Sequence, residues 1–283
     1  MQARLLVLGA ALLFSTGGLA IKATSLDAWQ VAGLRSGIAC LVLTLAFPAS
    51  LRAIRRDTWL VASAYAATLL LFTLANKNTT AGNAIFIQNA ALIWILMLSR
   101  PLLGEIISRR ELATAAGMIV GVLCLFFATR DSQATAPHPG LGNAFALGAS
   151  LCWGLTLMGL RRLAIRTETS SEPALTATLV GNGMLFVFCL PVMDIPVSVT
   201  TVDWLWVIYL GVVQIALAYI LLTRGAERVP AFELSMLLLL EAVLNPIWTY
   251  LILGEAMSSL ALVGAAIVLC LIVMDAAGRR TSD

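Results

Sequence analysis

Apolar stretches long enough to cross a lipid bilayer recur along almost the whole of this sequence, and no other feature constrains the fold as strongly. Crossing the hydrocarbon core takes about 20 consecutive apolar residues in an α-helix. Such stretches lie at residues 4–21, 30–48, 58–76, 80–99, 111–129, 141–160, 173–192, 203–223, 231–252 and 259–276. The sequence therefore predicts an all-α integral membrane protein with ten transmembrane helices.

The composition supports this fold class. Of the 283 residues, 60% are hydrophobic and only 12% are charged, whereas about 25% of the residues in a soluble domain are charged. The segments between the apolar stretches are short, so we expect no soluble domain. Arg4 precedes the first stretch as it would in a signal sequence, but nine further stretches follow, and a retained first helix is expected.

The basic residues predict the orientation of the chain. With ten helices both termini lie on one side of the membrane, and most of the 18 Lys and Arg residues fall on that side. The opposite side keeps Lys22, Lys77 and Arg130, while Arg35 lies inside the second apolar stretch. Because cytoplasmic loops are rich in Lys and Arg, both termini are predicted to be cytoplasmic.

The two halves of the sequence resemble each other. The tetrapeptide GAAL at residues 9–12 recurs as GASL at 148–151, and Leu-Gly-Glu at 103–105 recurs at 253–255. Each half holds five predicted helices, an odd number, so the two copies would insert in opposite directions. Inverted repeats around a central site are typical of secondary transporters, which open alternately to either side.

This organisation resembles the EamA-type branch of the drug/metabolite transporter superfamily. In that family each five-helix repeat carries Leu-Gly-Glu near the end of its fourth helix. The second half is similar to the family pattern E-P-V followed by L-G-E: Glu241 stands at the first Glu, Ala242 replaces the Pro, and Gly254-Glu255 close the pattern. The first half keeps the spacing but has Ala91 where the second half has Glu241.

The resemblance implies two repeats, residues 1–131 and 140–278, around a central cavity that exports small metabolites. Within the branch, the sequence is most similar to amino-acid exporters of the YddG type. With both termini in the cytoplasm, the expected location is the inner membrane of a bacterial cell. We expect a monomer embedded in the lipid bilayer.

A carboxylate inside the ninth apolar stretch is the first candidate for the transport site. Helical spacing places Glu241, Asn245 and Trp248 on one face, at i, i+4 and i+7. Glu241 could face the cavity and hold a substrate ammonium or a proton, or it could be buried as a packing contact, and the sequence leaves both readings open. Pro246 is expected to kink this helix because it removes the hydrogen bond to the carbonyl of Ala242.

Two amides are further candidates for the cavity lining. Gln88 and Asn89 are adjacent in the fourth stretch and point about 100° apart on a helix, so one of them faces inward. We favour Gln88, because it shares its helix face with small residues, over a role in an interhelical hydrogen bond. Gln214 is the corresponding lone amide of the eighth stretch.

Aromatic residues near the middle of the membrane complete the predicted substrate-binding set. Tyr65 shares a helix face with Thr68 and Phe72, and Trp153 lies on a face with small and hydroxyl residues. Such a wall would suit a substrate with an apolar or aromatic side chain and a zwitterionic head. Ordinary helix packing is the alternative for each residue taken alone.

Each of three cations near the predicted outer side has two possible roles. Arg35 is expected to extend its guanidinium toward the headgroups, with pairing to a carboxylate as the alternative. Lys22 and Lys77 could attract an anionic group into an outward-open cavity, or they could simply be solvated.

The predicted function is a secondary exporter of small metabolites, with aromatic or other neutral amino acids as the leading substrates. Drugs, amines or nucleotide-linked sugars are alternatives within the transport class. A membrane enzyme acting on lipid-linked substrates is a weaker alternative, since no HExxH, DxxD or Ser/His pair occurs. No nucleotide-binding GxxxxGK[ST] motif is present, and the five cysteines have no metal-ligand spacing, so we expect neither a cofactor nor a metal.

Overall fold

The structure, a computed structural model, describes residues 2–104, 108–128, 136–166, 172–194, 199–254 and 259–280. Within these ranges every regular element is helical and no β-strand occurs. The α-helices are α1 (Gln2–Phe14), α2 (Gly17–Ala23), α3 (Ala28–Ala46), α4 (Arg56–Asn78), α5 (Ala81–Gln88), α6 (Ala91–Leu103), α7 (Arg109–Ala128), α8 (Pro139–Arg166), α9 (Glu172–Cys189), α10 (Thr201–Tyr209), α11 (Ala218–Ala226), α12 (Ala231–Leu238), α13 (Leu240–Leu253) and α14 (Ser259–Arg280). Two 3₁₀-helices, Pro48–Ala53 and Leu190–Val192, and a π-helical segment, Leu210–Leu217, complete the described elements.

Eight helical segments within the described residues are long and apolar enough to cross a membrane. They are Gln2–Ala23, Ala28–Ala46, Arg56–Asn78, Ala81–Leu103, Pro139–Ile165, Pro173–Val192, Thr201–Ala226 and Ala231–Leu253. Each coincides with a predicted stretch to within a few residues. Two shorter apolar helical stretches, Leu112–Gly121 and Leu262–Leu271, lie in α7 and α14. The all-helical fold class is therefore confirmed, and the count of ten transmembrane helices stays a prediction.

The membrane-crossing helices have one buried face and one outward face. Between 44% and 61% of each crossing segment is buried inside the molecule. Large apolar side chains such as Leu45, Leu60 and Leu251 point outward, with exposures of 74%, 72% and 66%. In a bilayer these side chains would contact lipid tails, which are as apolar as they are.

Three of the crossing segments are interrupted near their middle. Gln2–Ala23 breaks between Phe14 and Gly17, Ala81–Leu103 (the fourth predicted stretch) at Asn89, and Ala231–Leu253 (the ninth predicted stretch) at Leu239. Around the last two breaks the backbone changes to tighter bonds, for example from Leu92 N–H to the Asn89 carbonyl and from Ala242 N–H to the Leu239 carbonyl. Broken helices place backbone polar groups and helix ends at mid-depth, where transporters commonly bind their cargo.

The ninth predicted stretch is interrupted at Leu239, before the proline. Residues 240–253 form one helix with Pro246 inside it, and the kink expected at Pro246 stays a prediction. The interruption at Leu239 also precedes Glu241. Glu241 consequently lies in the first turn of α13, where the helix dipole favours a negative charge.

Two glycines end α6 and α13, the second helices of the fourth and ninth predicted stretches, in the same way. Gly104 and Gly254 both adopt a left-handed conformation with φ of +71° and cap α6 and α13. Glycine is the residue that takes this conformation without steric cost. These are the glycines of the two Leu-Gly-Glu triplets. The predictions for Glu105 and Glu255 themselves, like that for Arg130, concern residues outside the described ranges.

Helix α4 makes extensive contacts with other helices of the molecule. It packs along α8 and α9, and α3 packs along α9 as well, while α7 and α14 form a separate pair. Small residues allow the close approach: a Cβ added to Gly181 of α9 would lie 2.5 Å from a ring carbon of Tyr65 on α4. One interior space lies between residues of α1, α3, α4, α5, α8, the π-helical segment, α11 and α13.

Candidate functional site

A small cavity lies where these helices converge. Its wall is formed by Phe14, Arg35, Thr68, Leu69, Phe72, Gln88, Trp153, Gln214, Tyr219 and Glu241. Its free volume is about 30 Å³, which is room for about one water molecule. A metabolite needs several hundred Å³, so the helices around the cavity must separate before one enters.

One wall of the cavity is aromatic. The ring centroids of Phe14 and Trp153 lie 6.2 Å apart, and Tyr219 lies 5.0 Å from Phe14 and 6.3 Å from Trp153, all in edge-to-face geometry. Such pairs are favourable beyond the area that they bury. The sequence pointed to Trp153, and the structure surrounds it with two rings from other helices.

Tyr65 packs against Tyr219 of this aromatic wall. Its ring contacts Tyr219 edge-to-face at 4.7 Å, and its hydroxyl accepts a hydrogen bond from Asn182 Nδ2 at 2.7 Å. It is fully buried and does not belong to the cavity wall in this conformation. The predicted contact of Tyr65 with substrate stays a prediction.

Both predicted amides reach the cavity wall. Gln88 is the last residue of α5, and Gln214 lies within the π-helical segment. Asn89, the alternative to Gln88, is outside the wall and donates to the Ile85 carbonyl at 2.8 Å. A Cβ added to Gly17 would lie 2.7 Å from Gln214 Nε2, so this amide also packs against the start of α2.

Glu241 is the carboxylate of the cavity. It is 8% exposed and has no hydrogen bond or ion pair within the described part of the chain. A carboxylate that only fixed packing would be expected to accept bonds from neighbouring donors, because burying it without them is costly. Its contact with a substrate is not tested by this geometry and stays a prediction.

Asn245 and Trp248 follow Glu241 on α13 but face a different neighbour. A Cβ added to Gly18 would lie 2.7 Å from Asn245 Nδ2, and Trp248 Nε1 donates to Ser15 Oγ at 2.9 Å. Both side chains thus contact the interruption between α1 and α2 and lie outside the cavity wall. Their predicted contact with substrate also stays a prediction.

Arg35 does not extend toward the headgroups, and that expectation was wrong. The residue is fully buried. Its Nη2 donates to the Leu69 carbonyl at 3.0 Å and to Thr73 Oγ1 at 2.7 Å, both on α4. The cause is tertiary: α4 and the π-helical segment enclose α3 at this depth, and a Cβ on Gly211 would lie 2.8 Å from the Arg35 carbonyl.

Lys22 and Lys77 also have structural partners. Lys22 Nζ donates to the Thr79 carbonyl at 3.0 Å, and Lys77 Nζ donates to the Thr24 carbonyl at 2.8 Å. These reciprocal bonds join the end of α2 to the end of α4. In this conformation both ammonium groups therefore help to hold one end of the molecule together.

Sequence reasoning did not select Tyr219, Phe14 or Arg35 for the site. Phe14 and Trp153 follow the repeated tetrapeptides at 9–12 and 148–151, and the structure places the two rings on one wall. Tyr219 could have been suspected as the only tyrosine or tryptophan between Gln214 and the end of its segment. The π-helical turn that orients it shows no signal in the sequence.

The side chains of the cavity offer hydrogen bonds, charge and aromatic surface for recognition of a ligand. The cavity combines an aromatic wall, two amides, one cation and one carboxylate. Among the described residues no three His, Cys, Asp or Glu side chains converge in a way that could hold a metal ion. A helical membrane protein with interrupted helices around a central polar cavity has the architecture of a small-molecule transporter.

Comparison with known proteins identifies the family. The EamA-like transporter family matches residues 1–127 and 140–274, and the chain belongs to that family, within the drug/metabolite transporter superfamily. It is a multi-pass membrane protein of a transporter family. One crystal structure superposes with a TM-score of 0.78 over 99% of both chains at 20% sequence identity, which shows the shared fold. No curated protein matches the sequence.

Proposed function

We propose that this protein is a secondary transporter that exports small amphiphilic metabolites, with aromatic or other neutral amino acids as its substrates. The observation that carries the proposal is the composition of the cavity wall. Four aromatic rings (Phe14, Phe72, Trp153 and Tyr219) line the same cavity as Glu241. The rings suit an apolar side chain, and the carboxylate suits an ammonium group.

The proposal includes the two repeats, residues 1–131 and 140–278, and alternating access between them. Two pairs of matching features support this proposal. Gly104 and Gly254 are separated along the sequence by the same number of residues as the interruptions at Asn89 and Leu239. Rocking of one repeat against the other would open the cavity to each side in turn. Similarity to YddG-type amino-acid exporters, cytoplasmic termini and a bacterial inner membrane belong to the same proposal.

The test is counterflow in proteoliposomes that hold the purified protein. Vesicles loaded with one unlabelled amino acid should accumulate the labelled amino acid, and aromatic ones should give the largest signal. Trp153→Ala should reduce the exchange of tryptophan more than that of alanine. Trp206→Ala is the matched control, because Trp206 packs against Tyr209 and not at the cavity. If the folded protein exchanges no amino acid, the proposal fails.

Organic amines are a second candidate cargo. A carboxylate beside aromatic rings also suits a cation that carries no carboxylate of its own, since the faces of such rings attract positive charge. The same vesicles loaded with an aromatic amine separate the two. Exchange of the amine without exchange of any amino acid would favour the amine and reject the amino acid.

A further inference from the structure

We propose that Arg35 binds the carboxylate of the transported substrate. This inference rests on the proposed function and specifies one end of the same site. A zwitterionic substrate would lie across the cavity, with its carboxylate at Arg35 and its ammonium group at Glu241.

The first step is the unused hydrogen-bonding capacity of Arg35. A guanidinium has five N–H groups. Nη2 uses its two on the Leu69 carbonyl and Thr73 Oγ1, whereas Nε and Nη1 have no partner in the described part of the chain although both are buried. Buried polar groups are nearly always hydrogen-bonded, and leaving them unpaired costs free energy.

The second step is the position of this cation. Arg35 is the eighth residue of α3, about 10 Å along the helix from its start at the rise of a regular α-helix. It belongs to the wall of the cavity. Thr73 Oγ1 donates its own hydrogen to the Leu69 carbonyl at 2.8 Å, which fixes the acceptor that holds the guanidinium. The cation is therefore positioned before any ligand arrives.

The third step is the relation of Arg35 to the opposite charge. Arg35 and Glu241 line the same cavity, yet no ion pair joins these two side chains in the part of the chain that the structure describes. Two buried ionisable groups of opposite sign are costly to keep charged when neither has a charged partner. A ligand with a negative and a positive group can satisfy both at once.

A further unpaired polar atom belongs to the same wall. Gln214 Oε1 is buried without a partner among the described residues, and Gln214 lines the cavity. A zwitterion offers acceptors at one end and donors at the other, which a simple amine does not. An amine would also place a second cation beside Arg35 and leave its N–H groups unpaired.

The experiment compares tryptophan with tryptamine, which lacks the carboxylate, in counterflow with purified protein in proteoliposomes. Wild-type protein should exchange tryptophan at least tenfold faster than tryptamine. Arg35→Gln should abolish this preference by slowing tryptophan while tryptamine continues, and Arg35→Lys should restore a preference for tryptophan. Arg224→Gln, an exposed arginine on α11, is the matched control and should keep the wild-type preference.

Several results would overturn the inference and leave the proposed function standing. Equal exchange of tryptophan and tryptamine by the wild type is one, and an unchanged preference in Arg35→Gln is another. If Arg35→Gln does not fold, Arg35→Lys decides: a variant that exchanges both compounds equally rejects the role. Absence of amino-acid exchange by the wild type would instead reject the proposed function itself.

Discussion

Trp248 Nε1 donates a hydrogen bond to Ser15 Oγ at 2.9 Å and so joins α13 to the interruption between α1 and α2. Trp94 Nε1 makes the corresponding contact in the other half of the molecule, to Ser150 Oγ at 3.1 Å. Each serine hydroxyl also donates to the carbonyl three residues earlier, at 2.7 Å. In the fourth and ninth predicted stretches, an indole on the second helix is thus tied to a serine in the first predicted stretch of the opposite half.

The bond between Trp248 and Ser15 should contribute measurably to stability. We expect Trp248→Phe and Ser15→Ala each to lower the free energy of unfolding, and the double variant to lose about 1 kcal/mol less than the sum of the two. Denaturation in detergent micelles of the wild type and the three variants gives this coupling. Strictly additive losses would show that the indole contributes through packing alone.

Glu241→Gln should slow amino-acid counterflow at least tenfold with little change in melting temperature. The amide keeps the shape of the side chain but removes the negative charge that faces an ammonium group. Glu227→Gln at the end of α11 is the control and should transport at the wild-type rate. An unchanged transport rate together with a lower melting temperature would assign Glu241 a packing role.

Asp203 should be the strongest single stabiliser at the end of the molecule that holds Lys22 and Lys77. Its carboxylate accepts from Ser25 N at 2.7 Å, Ser25 Oγ at 3.0 Å, Thr200 N at 3.0 Å and Thr200 Oγ1 at 2.6 Å. It thereby caps α10 and holds the loop after α2.

Asp203→Ala should therefore lower the free energy of unfolding by about 2 kcal/mol, since charged acceptors make the stronger hydrogen bonds. Thermal unfolding in detergent measures the loss. Asp57→Ala, near the start of α4, is a comparison with another acidic residue in a first turn. A loss at Asp203 no larger than that at Asp57 would contradict the anchoring role.

Gly104→Ala and Gly254→Ala should each cost about 1 kcal/mol, because a Cβ strains the left-handed backbone. The cost would come from the backbone alone, since no atom lies within 4 Å of the added Cβ at either site. Gly140→Ala is the matched control: its Cβ also meets open space, but its φ is not positive. Equal stability of all three variants would contradict the argument.

Part of the site could be anticipated from residue type alone. Glu241, Gln88, Gln214 and Trp153 were selected because polar and amphipathic side chains are unsuited to lipid tails, and the structure places all four on the cavity wall. Arg35 shows the limit of that reasoning. A long cationic side chain several residues inside an apolar stretch can extend to the headgroups or be buried. Which of the two occurs depends on the helices that pack around it.

The sequence by itself determined the class of fold and the family. Stretches of about 20 apolar residues in a bilayer must satisfy their backbone hydrogen bonds internally, and only helices or closed barrels do so. The paired Leu-Gly-Glu triplets likewise marked two helix ends, where Gly104 and Gly254 adopt the same left-handed conformation.

Only the tertiary structure decided which side chains meet. Lipid tails are as apolar as leucine, so the inward and outward faces of these helices do not differ in hydrophobicity as they do in a soluble protein. The orientation of Tyr219, the burial of Arg35 and the contact between Trp248 and Ser15 follow from interruptions and close helix packing that a helical period does not predict.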